Sequence, residues 1–396
     1  MRSHQVTIYK LFPMQFCRFS LFVLLFAVAS ARAGDLQVSG FGSIVGGTVL
    51  SGDGYWARLP EGAGQYQQGL ELMSESRLAL QANYALAEQW DFVGQFVARG
   101  HDQFEPKVAW LYGALTLSSD RQLKVGRLRL PVYQYSDVMD VGVTYPWLRV
   151  PSDAYSLAVT EFDGVMLSQR WNWQAGSTKF TIYSGQRDTD PNRLITAIEQ
   201  YKNEQKFNIV GDFVGLGDIH TTKFYRDMRG LVLENSIDWL TLRFSYLKGR
   251  ENFSYYDISP NGYRLRFGDE WLPTRFLDGS VQLDLKNFFV VAEWNYYQKI
   301  YKSWFTSVAY KAELWTPYVY LSGFKGTQRW AVDPLRLDDH YQSTGLGLRY
   351  DLAPRVALKT ELTLFSDKGD APVFIDRNRD GDTDATALAV SLDFSF

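Results

Sequence analysis

The sequence predicts an all-β fold: an antiparallel transmembrane β-barrel of about sixteen strands. Three observations carry this. Stretches of about ten residues place an apolar side chain at every second position. The connections between them alternate between very short and long, and Trp and Tyr gather near the ends of the stretches. A strand sends alternate side chains to opposite faces, so period two writes one greasy face and one polar face.

Composition narrows the class. The chain has 396 residues, 46% hydrophobic and 16% aromatic, with a formal net charge of −3. That hydrophobic share and modest charge exclude a disordered chain. A pI near 5.9 disfavours a nucleic-acid binder. Mean hydropathy is −0.23, too polar for a bundle of membrane helices.

Residues 1–33 read as a cleaved secretory signal. Phe19–Ala29 is almost wholly apolar, Arg18 precedes it, and Ala31-Arg32-Ala33 supplies the small-x-small cleavage pattern. The run is shorter than the ~20 residues a spanning helix needs. Met14, close to the apolar run, is an alternative start to Met1. Cleavage removes Arg2, Lys10, Arg18 and Arg32, taking the net charge from −3 to −7, and removes the single cysteine, Cys17. The remaining 34–396 are expected to form a single barrel domain without thiol chemistry.

Past Ala33 no apolar run approaches a spanning helix. In Arg77–Leu86, Leu78, Leu80, Ala82, Tyr84 and Leu86 oppose Arg77, Gln81 and Asn83. In Arg355–Phe365, Val356, Leu358, Leu362 and Leu364 oppose Lys359 and Glu361. At the end, Leu388, Val390, Leu392, Phe394 and Phe396 oppose Ser391, Asp393 and Ser395. The greasy face could line a soluble core or meet lipid. Lipid is favoured, because segments of ~9–11 residues match a tilted strand crossing hydrocarbon. Trp171, Trp173, Trp239 and Trp315 lie beside short turns, and Tyr296, Tyr297, Tyr301 and Trp304 near a longer connection, as interfacial rings do.

Strands are expected to begin near Leu36, Leu70, Trp90, Lys107, Gln122, Gly164, Ser177, Met228, Leu240, Ser280, Phe288, Trp304, Pro317, Gln342, Arg355 and Thr386. The count is even, as bacterial barrels require. It places both termini and every tight turn on the periplasmic side, with the long connections Val132–Phe162 and Arg187–Asp227 outward.

In four features the sequence resembles the general porins of Gram-negative outer membranes. These are Leu36-Gln-Val-Ser-Gly-Phe-Gly42, the Val125-Gly126-Arg127 strand, the long third connection after it, and the terminal Leu392-x-Phe394-x-Phe396. The resemblance is architectural: Thr160-Glu161-Phe162-Asp163-Gly164 only faintly echoes the enterobacterial loop motif. It implies an outer-membrane location, a homotrimer, contact with outer-membrane lipid and lipopolysaccharide, and Leu392, Phe394 and Phe396 as a signal for the barrel assembly machinery. It also implies that the third extracellular loop, 132–162, folds inward as a constriction.

That loop carries Asp137, Asp140, Asp153 and Glu161 against Arg149, while alternation puts Arg77, Arg99, Arg127 and Arg129 on the wall facing it. Two readings stay open: a transverse field that sorts ions, or mutual pairing that holds the loop. The sign of selectivity is open for the same reason. Ser152 is a candidate cap for a short helix through Asp153-Ala-Tyr155. Gly345, Gly347, Ala387 and Ala389 on the luminal face favour an open lumen.

Two further motifs stand out. Asp376, Asn378, Asp380, Asp382 and Asp384, with Gly381 between, match the first half of a calcium loop, but Ala387 replaces the final bidentate Glu. A solvated turn is the favoured reading. Asp190-Pro191 opens a stretch in which Leu194, Ala197, Ile198 and Tyr201 recur at helical spacing. No Gly-x-Ser-x-Gly, His-Glu-x-x-His or phosphate-loop pattern occurs, and after Ala33 only His101, His220 and His340 could serve as imidazole bases. The expectation is therefore a non-enzymatic channel for passive diffusion of small hydrophilic solutes and ions, without cofactor or nucleic-acid partner. The alternative is a porin selective for one nutrient class such as sugars or organic acids, using Tyr133, Tyr135, Tyr145, Trp147 and Tyr155 as a track.

Overall fold

The computed structural model describes residues 36–52, 66, 68–157, 159–188, 218–258, 264–267, 271–298, 300–326, 340–368 and 384–396. The first half of the wall is β1 (Leu36–Ser51), β2 (Arg77–Ala87), β3 (Trp90–Arg99), β4 (Pro106–Ser118), β5 (Arg121–Arg129), β6 (Glu161–Trp173), β7 (Gly176–Asp188) and β8 (Asp218–Ile237). It continues through β9 (Leu240–Ile258), β10 (Arg264–Phe267), β11 (Leu272–Asp284), β12 (Phe288–Tyr297), β13 (Tyr301–Tyr310), β14 (Trp315–Gly326), β15 (His340–Ala353), β16 (Val356–Asp367) and β17 (Ala385–Ser395). Successive strands pair antiparallel, and β1 pairs with both β2 and β17, so the sheet closes on itself. The four-residue β10 pairs with the end of β9, and β11 takes over the same edge from Glu251 downward. They share one place in the wall, which therefore has sixteen positions.

Thirteen of the sixteen expected strand starts lie within three residues of the observed ones. β8 begins at Asp218 rather than Met228, and β11 at Leu272 rather than Ser280. In β11 the pattern is broken because Phe276 is buried on the inner face while Arg275 is exposed on the outer one, and backbone pairing runs on regardless. β2 begins at Arg77, not Leu70. Glu71 instead forms an isolated bridge to Gly47 before the chain turns back into the wall. The connection after Tyr297 is also short, since β13 resumes at Tyr301.

Burial along a strand is inverted relative to a soluble protein. On β16, Leu358 and Leu364 are 40% and 43% exposed, whereas Lys359 and Glu361 between them are 0% and 1% exposed. On β17, Val390 is exposed while Ser391 and Asp393 are fully buried. Apolar side chains outside and polar ones inside are what a barrel in lipid requires. No helix among the described residues is long and apolar enough to cross a membrane.

The closing seam is built from rings on glycines. Gly40 exchanges both backbone hydrogen bonds with Phe396 (3.0 and 2.9 Å), and Gly42 stands opposite Phe394 in register. A Cβ on Gly40 would meet the Phe396 ring at 2.3 Å, and one on Gly42 the Phe394 ring at 2.6 Å. The terminal phenylalanines thus lie across a notch in the first strand, next to exposed Val38 and Ile44.

Replacing Gly42 with Val displaces the Phe394 ring. The expected loss is about 1–3 kcal/mol, the usual cost of overpacking, measured by urea unfolding in detergent micelles. Adding Phe394→Leu should restore part of it. A more stable Gly42→Val barrel, as β-propensity alone would give, would show that the ring is not seated there.

Candidate functional site: the segment between β5 and β6

Residues 130–160 leave the wall after β5 and return at β6, joined at the base by the Leu130 amide donating to the Thr160 carbonyl (2.9 Å). Between these points the segment makes two single 3₁₀ turns, Ser136–Val138 and Gly142–Thr144. The expected Ser152-capped helix is absent. The amides of Ala154 and Tyr155 both donate to the Pro151 carbonyl, which makes one turn. The Ser152 hydroxyl bonds Asp153 instead of a helix N-terminus.

Wall cations hold the segment by its backbone. Lys359 on β16 donates to the carbonyls of Gly142 and Trp147, each at 2.6 Å, and pairs with Asp393 on β17 at 3.1 Å. Arg349 on β15 donates to the carbonyls of Val143 and Tyr145 (2.8 and 3.0 Å). Arg243 on β9 reaches the carbonyls of Pro131 and Val132 while pairing with Asp278. A polyamide strap without sheet partners must satisfy its carbonyls somewhere, and here buried cations do so with charge-assisted bonds.

Wall carboxylates take the complementary groups. Glu293 on β12 accepts from the Gln134 amide (2.9 Å) and the Tyr155 hydroxyl (2.6 Å). Glu361 on β16 accepts from the Leu148 amide and from the hydroxyls of Tyr318 and Tyr320. Those two tyrosine rings occupy the space above Gly347 and Gly345, where a Cβ would meet them at 2.0 Å. The small luminal residues therefore do not open a channel. The glycines seat rings, and Ala389 packs against Leu148 of the segment.

Aromatic packing completes the attachment. Trp147 is fully buried, edge-on to Phe305 at 4.9 Å, and its indole nitrogen donates to Ser307 at 2.6 Å. Tyr133 lies against Tyr155 at 4.4 Å. Burial pushes the phenols of Tyr135, Tyr145 and Tyr155 upward, so they stay protonated donors. All five loop aromatics are 7% exposed or less. They pack against the wall and present no stacking track.

The charges singled out by the sequence are distributed as follows. Asp140 meets Arg129 at 2.7 Å, Arg99 at 2.8 Å and Arg77 at 3.7 Å, drawing together β5, β3 and β2. Glu161 pairs with Arg129 at 3.2 Å. Burial by itself would raise the Asp140 carboxyl; Arg99, Arg129 and Arg77 more than reverse this and hold it well below the usual carboxylate range. Arg149 pairs with Glu75 (2.6 Å), ahead of β2. Asp153 is buried and accepts from Ser322 on β14 at 2.7 Å. Arg127 stands apart, bonded to Asp163 at 3.0 Å beside a cavity of about 390 Å³ that Arg99, Lys107, Glu161 and Arg187 also line. Asp137 is exposed.

Asp376, Asn378, Asp380 and Asp382 lie outside the described residues, as does the stretch 190–201; Asp384 is exposed just before β17. Sequence reasoning did not assign Arg243, Glu293, Arg349, Lys359 and Glu361 to the loop's attachment. Their signal was present: each is a charge at an alternate position inside a strand, a place where an unpartnered charge is costly.

No known sequence family matches the chain, and no curated protein matches it. Solved structures resemble it as folds. OmpF of Salmonella typhi in complex with daunomycin aligns with a TM-score of 0.55, covering 92% of this chain and 98% of that one, at 12% identity. An anion-selective porin from Comamonas acidovorans gives 0.52 over 91% and 100%, at 11% identity. In-vitro folded OmpT of Vibrio cholerae, in its trimer form, gives 0.51 over 91% and 100%, at 11% identity. The fold is that of the Gram-negative outer-membrane porins.

Two outcomes follow from the Asp140 cluster. Asp140→Asn leaves the buried Arg129 and the partly buried Arg77 and Arg99 short of a partner and should cost about 3 kcal/mol, read by urea unfolding. The pH dependence has a definite sign. A depressed carboxyl contributes fully above its unfolded value near 3.9 and loses that contribution only as pH falls through the folded value. Trp147 emission should therefore stay unchanged down to about pH 4 in the parent protein. A red shift well above that pH would show that Asp140 does not hold the segment.

Proposed function

We propose that the chain is an outer-membrane channel through which small hydrophilic solutes and ions diffuse passively. One observation carries this reading: the segment 130–160 is bonded to the polar, buried face of a closed barrel on β9 and β11–β16, around the wall from its own attachment at β5 and β6. Attachment to those strands by their inner side chains supports an inward-folded segment that narrows the lumen. The same segment tied to the outer face would leave Lys359 without the Gly142 and Trp147 carbonyls and Glu361 without the Leu148 amide. Passive diffusion calls on no covalent chemistry and no cofactor.

Assembly as a homotrimer in the outer membrane of a Gram-negative bacterium fits the trimer form of the Vibrio cholerae fold relative. The exposed apolar band, with Trp171, Trp173, Trp239 and Trp315 beside the tight turns, suits lipid and lipopolysaccharide. Leu392, Phe394 and Phe396 at the closing seam suit recognition by the barrel assembly machinery. Burial of the loop aromatics weighs against the alternative of a dedicated sugar or organic-acid track.

Refolded protein in a planar bilayer with a KCl gradient should give discrete ohmic steps, closing in threes for a trimer. Flux should scale with solute size and charge. Saturable transport of one solute would favour the selective alternative, and silence from a verified folded barrel would refute the channel.

A further inference from the structure

On the outer face of the wall a row of cations stands in register with no described carboxylate to neutralise it. Arg229 on β8 is opposite Lys248 on β9, and Lys248 is opposite Arg275 on β11. Lys302 on β13 is opposite Lys325 on β14, and Lys325 is opposite His340 on β15. The lysines and arginines of this row are exposed, while their chain neighbours Met228, Leu247, Phe276 and Phe324 are buried on the inner face. None of them has an ion-pair partner among the described residues, and Lys302 lies over the Tyr296 ring at 5.7 Å. The next outward cation on β9 is different: Arg250 donates to Asp227 at 2.7 Å and lies over the Trp271 ring.

Like charges directly opposite on one face of a sheet repel and destabilise it. The height of the row shows what medium lies in front of it. Each of its lysines and arginines is eight to ten residues from the tight turn at the other end of its strand. That is about the ~9–11 residues with which a tilted strand crosses hydrocarbon. Nearer the turns the same outer face is apolar, through Phe244, Val281 and Leu321. Exposed Trp304 lies between, its indole across Gly323, where a Cβ would meet Nε1 at 2.7 Å. Interfacial tryptophans mark the level of the headgroups. The cations emerge just past that ring, on the side of the long outward connections.

We infer that this row on β8–β15 is a docking surface for phosphorylated lipid headgroups of the outer leaflet, with phosphates bridging cations of neighbouring strands. This rests on the outer-membrane reading above and assigns it a particular face of the barrel. Strands lie about 4.8 Å apart, so one phosphate can take charge-assisted hydrogen bonds from two of them. The guanidinium groups of Arg229 and Arg275 present paired N–H donors in the geometry that phosphate accepts. Lysine stems lie along apolar surface while their ammonium groups stay at the polar level. A soluble polyanion would meet the same charges but not Trp304 and Leu321 beneath them. The acyl chains of a lipid cover both.

The test is the thermal midpoint of the refolded barrel in zwitterionic micelles, read by loss of its compact band on semi-native gels. Diphosphorylated lipid A should raise the midpoint by several degrees, whereas dephosphorylated lipid A and inorganic phosphate should leave it unchanged. With Lys248→Gln, Arg275→Gln, Lys302→Gln and Lys325→Gln together, the lipid A shift should vanish. The lipid-free midpoint of that variant should equal or exceed the parent's, because repulsion within the row is relieved. Lys302→Gln with Lys325→Gln alone should remove a large part of the shift. An equal parent shift with dephosphorylated lipid A or inorganic phosphate overturns the assignment, as does a folded fourfold variant that keeps the parent's shift. Conductance in a planar bilayer separates the two readings. A conducting parent without a lipid A shift overturns this surface and leaves the channel standing. A shifted parent that never conducts overturns the channel and leaves this surface standing.

Discussion

Everything in this protein follows from the need to satisfy each backbone amide and carbonyl where no water is available. In hydrocarbon a sheet can do so only by closing, because a free edge would leave a row of unmet donors and acceptors. The β1–β17 seam removes that edge, and its geometry shows what closure demands of side chains. Phe394 and Phe396 lie flat over Gly42 and Gly40, so two strands far apart in sequence meet without a gap on the lipid side. The same device recurs inside, where Tyr318 and Tyr320 lie over Gly347 and Gly345.

Closure creates a second problem within the barrel. A strap of some thirty residues tied to the inner side chains of the wall gives up sheet pairing, and its carbonyls need other donors. Lys359, Arg349 and Arg243 meet that need, with Asp393, Asp351 and Asp278 balancing their charge. Glu293 and Glu361 receive the amides and phenols. Because these ions are paired or hydrogen-bonded and most are buried, removing one would strand its partner, and the strap is thereby tied to a single position.

The division of labour among charges is the functional consequence. Three arginines close on Asp140 and serve as anchorage. Asp137, by contrast, stays exposed on the Ser136–Val138 turn. Charge number along the sequence does not distinguish these roles; contact distance does.

The barrel was legible in the sequence because water and lipid act on every strand in the same way. Each residue is sorted to one solvent or the other by its own chemistry, so Leu358-Lys359-Thr360-Glu361 announces its two faces without reference to any other strand. The starts of β8 and β11 were misplaced because backbone pairing runs past the apolar alternation. The partners of the charges were not legible. Lys359 finds Gly142 across 217 positions and Arg349 finds Val143 across 206. Whether Asp140 faced open water or three guanidinium groups depended on where the strap turned inside the closed wall. Local patterning sets which face a side chain takes, because the solvent on each face is a property of place. Which charge it meets there is decided only when closure and the strap bring distant strands within a few ångströms, the range at which electrostatic pairing outweighs solvation.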